Sequence, residues 1–523
     1  MRKLRIGVID LICKSSNPGL YGRIMDANLV SIMPQVVSVW CEQEGHEVTH
    51  EIFTGSQNLA ELIPEDLDLV FINSFTQASL RAYSLSNMFR SRGAVTALGG
   101  PHARSYPQDA QKYFDYVLGL TDKTIIHEVL SDCSQHRPLG LYLTAQKHPT
   151  ELPGVKERWK FIEQTLKKAP LIKIVPMIFS LGCTYTCGFC VDSAVDHQQL
   201  DLESIKEDLR FLLTKFKKPR VGLHDPNFGM KFNTLMDAIE DAVPPGSIDF
   251  IAESSLSMLS EPHLKRLKHN GFKAMMPGIE SWFDMGNKSK TGRKTGMEKV
   301  RQVADHVNLI MEYIPYVQTN FVIGLDTDEG KEPFECTKKF IDLAPGAFPA
   351  YSLLSAFGQS APLNIEYQRA DRMIPLPFHF LNNNQGMNLG VKNYSWLDFY
   401  DNYIDLVKHS FTWKAIYSRY KANKGAIPRW MNVLRAVSSE GFGRIKYHSN
   451  MYQMFENDCQ FLAFFNQETT EVPEFYLNKI RGDLKDIWEW LPEGALYHDP
   501  KAFLKSEEKI KQEELAIEKA IID

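Results

Sequence analysis

The chain has 523 residues, too many for one hydrophobic core, so we expect two or three domains. Its 59 Lys and Arg residues nearly balance its 64 Asp and Glu residues, and the net charge of -5 calls for no nucleic-acid partner. No run of about eighteen apolar residues and no signal-peptide pattern occurs, and the eight cysteines suit a reducing compartment, so we expect a cytoplasmic protein without a membrane partner.

Residues 1–145 alternate apolar, β-branched segments with helical patterns, which predicts βαβ units and an α/β domain with a doubly wound, flavodoxin- or Rossmann-like parallel sheet. Ligands of such sheets bind beyond the carboxyl ends of the strands, so the loops there should form one binding rim. The predicted strands are residues 4–9, 47–53, 67–72, 94–98 and 116–118, the predicted helices are 29–44 and 78–92, and the rim loops are 10–22, 73–77, 99–105 and 119–122. Residues 146–168 are polar and contain two prolines, which indicates a linker.

Three cysteines, Cys183, Cys187 and Cys190, follow the apolar segment 172–179 in a C-x3-C-x2-C spacing. The apolar segment predicts a buried strand, so the cysteines lie on the loop at its carboxyl end. Three thiolates on one short loop suit a single soft metal centre, and three ligands leave one iron of a four-iron, four-sulfur cluster open. Two alternatives remain: zinc held with His197 or His224, or three inert core cysteines. The other cysteines, Cys13, Cys41, Cys133, Cys336 and Cys459, are interpreted as ordinary core or surface residues.

The cysteine spacing, with Phe189 just before the last cysteine, resembles the signature of the radical S-adenosylmethionine (radical SAM) superfamily. The resemblance implies a 4Fe-4S cluster on the three cysteines and a SAM molecule chelated to the open iron. It also implies that residues 169–365 form a partial (β/α)6 barrel, which agrees with the strand and helix alternation there.

Polar residues stand at the ends of several predicted core strands, where a purely structural strand does not need them. The resemblance implies that these residues contact SAM, although the acids among them are also typical of helix caps or solvated strand ends. The implied SAM contacts are Phe189, Asp225, Asn227, Glu253, Ser255, Glu280 and Ser281. A basic segment at 288–294 resembles a lysine-rich loop of the same superfamily, without a basis for choosing one residue.

The turn Gly99-Gly100-Pro101-His102, together with segments 45–48 and 114–117, is similar to the cobalamin-binding domain that precedes many radical SAM cores. The resemblance implies a corrinoid across the rim. Its implied contacts are Ser74, Thr76, Gly99, Gly100, His102 and Gly119. The chain lacks the Asp-x-His-x-x-Gly motif, so no axial histidine is expected, and Leu120 stands where a Glu is common.

Residues 366–523 are rich in aromatic side chains at helical spacing, which is more typical of a packing face than of a cofactor site, and segment 506–522 predicts a charged amphipathic helix. The whole pattern resembles the cobalamin-dependent radical SAM family. That resemblance implies C-methylation of an unactivated carbon of a small-molecule metabolite through a 5'-deoxyadenosyl radical, with a donor such as flavodoxin or ferredoxin. Cyclisation or rearrangement without methyl transfer is one alternative, and a structural zinc-binding module is another.

Overall fold

The computed structural model describes residues 2–12, 20–25, 28, 30–55, 57–133, 137–193 and 195–508. Cys13 and the part of the predicted terminal helix beyond residue 508 lie outside the described residues. Two parallel sheets organise the described chain, and a group of helices follows the second sheet.

The first sheet has six parallel strands in the order β2-β1-β3-β4-β5-β6. Its strands are β1 (Arg5–Leu11), β2 (Glu47–Phe53), β3 (Leu69–Asn73), β4 (Val95–Gly99), β5 (Tyr116–Leu118) and β6 (Leu141–Leu143), and its helices are α1 (Leu20–Met25), α2 (Ile32–Gln43), α3 (Leu59–Leu62), α4 (Ser79–Ser91), α5 (Pro101–Ser105), α6 (Pro107–Ala110) and α7 (Lys123–Asp132). Alternate side chains of β3 pack on opposite faces, Phe71 toward α2 and Ile72 toward α4. The doubly wound prediction is confirmed. The pattern missed β6, because three partly exposed residues carry too little periodicity.

The predicted linker is only partly a linker, because it contains helix α8 (Trp159–Lys168). Phe161, Ile162 and Leu166 are buried on one face of α8, and lysines occupy its last turn. Both prolines lie upstream of α8, in the half of the segment that contains no helix or strand. Its second half is an amphipathic helix that covers the core.

The second sheet consists of six parallel strands that follow one another in chain order, β7-β10-β11-β12-β13-β14. The strands are β7 (Val175–Met177), β10 (Arg220–Leu223), β11 (Asp249–Ser255), β12 (Phe272–Glu280), β13 (Tyr316–Ile323) and β14 (Phe348–Leu353), and the helices between them are α9 (Leu202–Lys215), α10 (Phe232–Ala242), α11 (Glu261–His269), α12 (Gly286–Ser289), α13 (Gly296–Tyr313) and α14 (Glu332–Leu343). Two short antiparallel strands, β8 (Ser180–Leu181) and β9 (Gln198–Gln199), form a hairpin beside this sheet. Sequential parallel strands with helical crossovers form the predicted partial (β/α)6 barrel, which is confirmed.

Seven helices follow the barrel in the described residues. They are α15 (Leu363–Arg369), α16 (Trp396–Ser410), α17 (Trp413–Ala422), α18 (Ala426–Ala436), α19 (Phe442–Asn457), α20 (Cys459–Phe465) and α21 (Glu474–Leu484). Most of the aromatic residues pack into the core as the spacing predicts, and Trp396 stacks on Phe455 with 5.5 Å between ring centroids. No helix among the described residues is long and apolar enough to cross a bilayer.

Candidate active site

The three cysteines lie on the hairpin loop between β8 and β9, at the carboxyl end of β7. The Cys183 amide donates to the Val195 carbonyl across the loop at 3.2 Å, and the Cys190 amide donates to the Cys187 carbonyl at 2.9 Å. Gly182 has a φ of +72°, and a Cβ there would lie 2.3 Å from the Asp196 carbonyl oxygen, so the entry to the loop requires glycine. These contacts fix the backbone of the loop that carries the three cysteines.

The surroundings of the thiols decide their protonation. Cys187 is buried and the other two are half-buried. Burial raises the pKa of the Cys190 thiol to about 11 and also raises the pKa of Cys187, which Lys288 counteracts. A bound metal cation would favour the thiolate forms of Cys187 and Cys190 over their thiols, because metals bind cysteine as thiolate.

The donor set fits a soft metal centre, with three sulfur atoms on one loop. Among residues 2–508 that the structure describes, no three His, Cys, Asp or Glu side chains are already drawn together as metal ligands, and His197 and His224 do not complete such a group. The three cysteines stay the predicted cluster ligands, and this observation does not separate a cluster from a zinc site completed by a histidine.

Asp225, an implied SAM contact, holds the base of the cysteine hairpin. It is 2% exposed, and its two carboxylate oxygens accept hydrogen bonds from the Phe179 amide at 3.0 Å and the Ser180 hydroxyl at 2.6 Å. Both oxygens thus bind the segment that leads to Cys183. Asp225 is better described as a residue that positions the loop.

Asp225 also makes the stability of the protein depend on pH. Burial raises its pKa from 3.8 to about 6, although hydrogen bonds from Ser180 and Phe179 lower it. The folded carboxyl binds its proton more tightly than the unfolded one, so its contribution to stability falls as pH rises from about 4 through 6. We expect the stability of Asp225→Asn relative to wild type to rise by about 3 kcal/mol from pH 4 to pH 7, measured by urea unfolding. The exposed Asp371→Asn is the control, and a flat difference for Asp225→Asn would contradict this assignment.

A second set of hydrogen bonds joins the cysteine loop to the end of β11. The Tyr185 and Ser257 hydroxyls lie 2.6 Å apart, and the Ser257 and Ser255 hydroxyls lie 3.0 Å apart. The Ser255 amide donates to the Asn227 side-chain oxygen at 2.8 Å. Ser255 and Asn227, both implied SAM contacts, are buried and support this network. Tyr185 and Ser257 were not singled out in the sequence, because only the fold brings them together.

Glu253 is the implied SAM contact that is most available to a ligand. Its side chain is exposed to water, yet the surrounding protein raises its pKa, with Glu280 adding to the effect. Its backbone carbonyl accepts a hydrogen bond from Phe228 at 2.8 Å. A ligand can therefore reach the Glu253 carboxylate from solvent at the end of β11. Phe189, by contrast, is half-buried and packs against the core.

Glu280 ends β12 in an unusual conformation. Its φ is +65°, and the pairing of β12 with β13 shifts register between Gly278 and Glu280. Its carboxylate accepts a hydrogen bond from Lys288 at 2.6 Å, with side-chain exposures of 11% for Glu280 and 19% for Lys288. A β-bulge and a left-handed non-glycine residue at a strand end are features that aim side chains in functional sites. The basic segment thus contributes Lys288 to the site.

The pair of Glu280 and Lys288 should be strongly coupled. We expect Lys288→Met to lower the free energy of unfolding by about 3 kcal/mol, because it leaves a buried carboxylate without its partner. The double variant Glu280→Gln/Lys288→Met should lose clearly less than the sum of the single variants. Urea unfolding of the four proteins gives this coupling, and additive losses would show that the two side chains act independently.

Ser281 holds the turn after β12 and is not open to a ligand. It is 3% exposed, and its hydroxyl accepts from the Phe283 amide at 3.1 Å and the Asp284 amide at 3.2 Å. The fully buried Lys299 ammonium donates to the Ser281 carbonyl at 2.6 Å. The resemblance placed Ser281 beside SAM, whereas the side chain is used within the protein.

The predicted rim of the first sheet is formed by the ends of β3 and β4. Gly100 has a φ of +93°, and a Cβ there would lie 2.4 Å from the Asn73 side-chain oxygen. A Cβ at Gly99, by contrast, would meet no heavy atom within 4 Å. Ser74 and Thr76 are buried beneath this edge, and the Ser74 amide donates to the Gly99 carbonyl at 3.0 Å. The open space over Gly99 fits a bound group that lies against bare backbone.

The other two implied corrinoid contacts are enclosed by protein. His102 is fully buried, its Nε2 lies 2.6 Å from the Tyr83 hydroxyl, and its ring packs on Phe378. It therefore points into the core between the first sheet and the helices after the barrel, because α5 begins directly at Gly100 and turns the side chain inward. A Cβ at Gly119 would lie 2.5 Å from the Tyr142 and Thr144 oxygens, so that position only allows β5 and β6 to approach each other.

The rim packs directly against the carboxyl edge of the barrel. Arg104 donates to the Val191 carbonyl of the cysteine hairpin at 3.3 Å and lies 3.8 Å from the Asp192 carboxylate. The Tyr106 hydroxyl donates to the Ala356 carbonyl at 3.0 Å. A cavity of about 330 Å³ lies in this junction, and its lining residues are Arg104, Leu120, Tyr142, Thr144, Gln359, Ser360 and Phe503.

Comparisons with known proteins support this architecture. No protein-family model matches the chain. The bacteriochlorophyllide d C-8(2)-methyltransferase of Chlorobaculum tepidum (strain ATCC 49652 / DSM 12025 / NBRC 103806 / TLS) is 26% identical over 228 residues, which cover 41% of this chain and 50% of that protein. The match thus spans about half the length of the curated relative.

Two solved structures share the fold. The radical S-adenosylmethionine methyltransferase TsrM from Kitasatospora setae, with cobalamin and a [4Fe-4S] cluster bound, has a TM-score of 0.53 and 15% identity, covering 70% of this chain and 78% of that chain. The cobalamin-dependent S-adenosylmethionine radical enzyme OxsB, with aqua-cobalamin bound, has a TM-score of 0.53 and 13% identity, covering 94% of this chain and 80% of that chain. The chain therefore has the fold of the cobalamin-dependent radical SAM enzymes.

Proposed function

We propose that this chain is a cobalamin-dependent radical SAM enzyme whose three loop cysteines hold a 4Fe-4S cluster. The observation that carries the proposal is the contact between two sheet edges at which ligands are predicted to bind. The cysteine hairpin leaves one sheet, and Arg104 on the rim of the other sheet donates a hydrogen bond to that hairpin. A reaction shared between two cofactors requires such proximity, because effective concentration falls quickly with distance.

The chain's own residues would bind and orient the cofactors. Cys183, Cys187 and Cys190 would ligate the cluster, and Asp225 and Tyr185 hold their hairpin in place. When bound, these cofactors would supply a 5'-deoxyadenosyl radical from SAM and a transferable methyl group from cobalamin.

Two further groups of residues would complete the site. The Glu253 carboxylate and the pair of Glu280 and Lys288 would face SAM from the ends of β11 and β12. Gly99 would lie beneath the corrinoid, where no side chain occupies the space. These assignments rest on exposure and on position at the strand ends.

The reaction that we propose is C-methylation of an unactivated carbon of a small-molecule metabolite. The curated relative and TsrM are both methyltransferases by name, which supports methyl transfer over rearrangement. TsrM was also solved with a tryptophan substrate, which supports a small molecule as the substrate here. The cluster would receive its electron from a donor such as flavodoxin or ferredoxin, in the cytoplasm where thiols stay reduced.

Anaerobic reconstitution with iron, sulfide and cobalamin tests the proposal. The reduced protein should be brown and should convert SAM into 5'-deoxyadenosine. Incubation of a metabolite extract with methyl-deuterated SAM should give a product that carries the label. Deoxyadenosine without labelled product would favour cyclisation or rearrangement, and a colourless zinc protein would overturn the proposal.

A further inference from the structure

Helices α17 and α18, with the neighbouring α1, expose a cluster of large apolar side chains that we call the aromatic patch. It contains Leu20, Trp413, Tyr417, Ile427, Trp430 and Val437, which are 42% to 68% exposed. Ile427, Trp430 and half-buried Leu434 on α18, with Val437 directly after it, follow helical spacing and form one apolar stripe that is largely exposed in the described part of the chain. An exposed patch of this kind marks an interaction surface.

The chain segment that carries most of the aromatic patch has charges of one sign. From residue 406 to residue 439 the chain contains no Asp or Glu but has seven Lys and Arg residues. Of these, Lys408, Lys414, Lys421 and Lys424 are exposed. The Lys421 ammonium lies 4.6 Å from the centre of the Tyr417 ring, and the Arg429 guanidinium lies 5.3 Å from that of Tyr420, so cations border the rings. The surface therefore complements an anionic partner.

The position of the patch separates it from the candidate active site. Arg419 donates to the Ala347 carbonyl and Asn423 to the Gly346 carbonyl, just before β14 begins. Helix α17 thus lies at the amino edge of the barrel, whereas the cysteine hairpin lies at the carboxyl edge. A six-residue strand spans about 20 Å, so a protein docked on the patch would be poorly placed to deliver an electron to the cysteines.

We propose that the aromatic patch binds the surface of an anionic lipid bilayer. Trp and Tyr favour the boundary between lipid and water, apolar Ile and Val side chains enter the acyl region, and lysines pair with lipid phosphates. A second copy of the chain fits less well, because a two-fold contact would place like charges against each other. The absence of an apolar spanning segment predicted no membrane partner, and the proposed contact lies at the bilayer surface, where no such segment is needed.

Vesicle flotation tests the proposal with the full chain. We expect the protein to float with vesicles of phosphatidylcholine mixed with phosphatidylglycerol, to float much less with phosphatidylcholine alone, and to dissociate as salt rises. Lys421→Glu/Lys424→Glu should lower the partition coefficient by about thirtyfold or more. Trp413→Ser/Trp430→Ser should also abolish flotation with an unchanged melting temperature.

The matched control is Leu139→Ser/Leu171→Ser, which removes two exposed leucines elsewhere and should float like wild type. Absence of flotation by the wild-type protein would overturn the proposal, as would flotation unaffected by the tryptophan substitutions. A concentration-dependent dimer that the tryptophan substitutions dissociate would assign the patch to a second copy instead. Retention on RNA without flotation would assign it to nucleic acid.

Discussion

Cys187→Ala is expected to lose its iron–sulfur absorbance and to produce no 5'-deoxyadenosine after anaerobic reconstitution. Cys187 is buried, whereas the other two cysteines are half-buried. Water would therefore not readily take the place of the Cys187 sulfur as a ligand. We expect activity to fall by more than about 100-fold, since loss of a residue that only orients a metal ligand already costs up to that much. Iron content, the visible spectrum and deoxyadenosine formation measure the effect.

Cys459→Ala is the matched control for this prediction, because Cys459 is an exposed cysteine outside the hairpin. It should retain iron and SAM cleavage. If Cys187→Ala also retained both, the hairpin would not hold the cluster. If wild-type protein carried zinc that Cys187→Ala lost, the cysteines would be structural ligands.

Gly99→Leu is expected to weaken cobalamin binding while leaving the fold intact. The new side chain would project into the space where Gly99 has no neighbour within 4 Å, so the protein itself loses nothing. It would collide with a group bound on the rim. A free-energy cost of overpacking of about 1–3 kcal/mol weakens cobalamin binding roughly tenfold to a hundredfold. Equilibrium binding of cobalamin, followed by absorbance, and the melting temperature separate the two effects.

Two further glycine variants serve as controls for Gly99→Leu. Gly482→Leu fills a similarly open position in α21 and should bind cobalamin like wild type. Gly100→Ala should instead destabilise the protein, because Gly100 has a positive φ and no room for a Cβ. Unchanged cobalamin affinity in Gly99→Leu would remove the rim as the corrinoid site.

The arrangement of strands followed from local patterns. In β3 the apolar residues are adjacent in the chain, and in β13 buried side chains alternate with half-buried ones over the first six residues, so periodicity and length sufficed to find both strands. The cysteine loop was equally easy to find, because its three cysteines lie within eight residues. The short strand β6 and the helix α8 were missed, one because it is too brief and the other because prolines precede it.

The roles of individual side chains were less accessible. Asp225, Ser281 and His102 have residue types and positions that suit ligand binding, yet each is bonded within the protein. Lys288 could not be chosen from its basic segment until its contact with Glu280 was seen. A side chain that is free and one that is already paired look the same in a sequence.

The sequence by itself determined the two parallel sheets and the position of the cysteine hairpin, because these depend on residues close together along the chain. The tertiary structure alone decided that the rim at Gly99 faces that hairpin, that Lys288 pairs with Glu280, and that α17 and α18 expose their aromatic residues. Each of these depends on contacts, or on missing contacts, between segments that are far apart in sequence, and no local pattern encodes them.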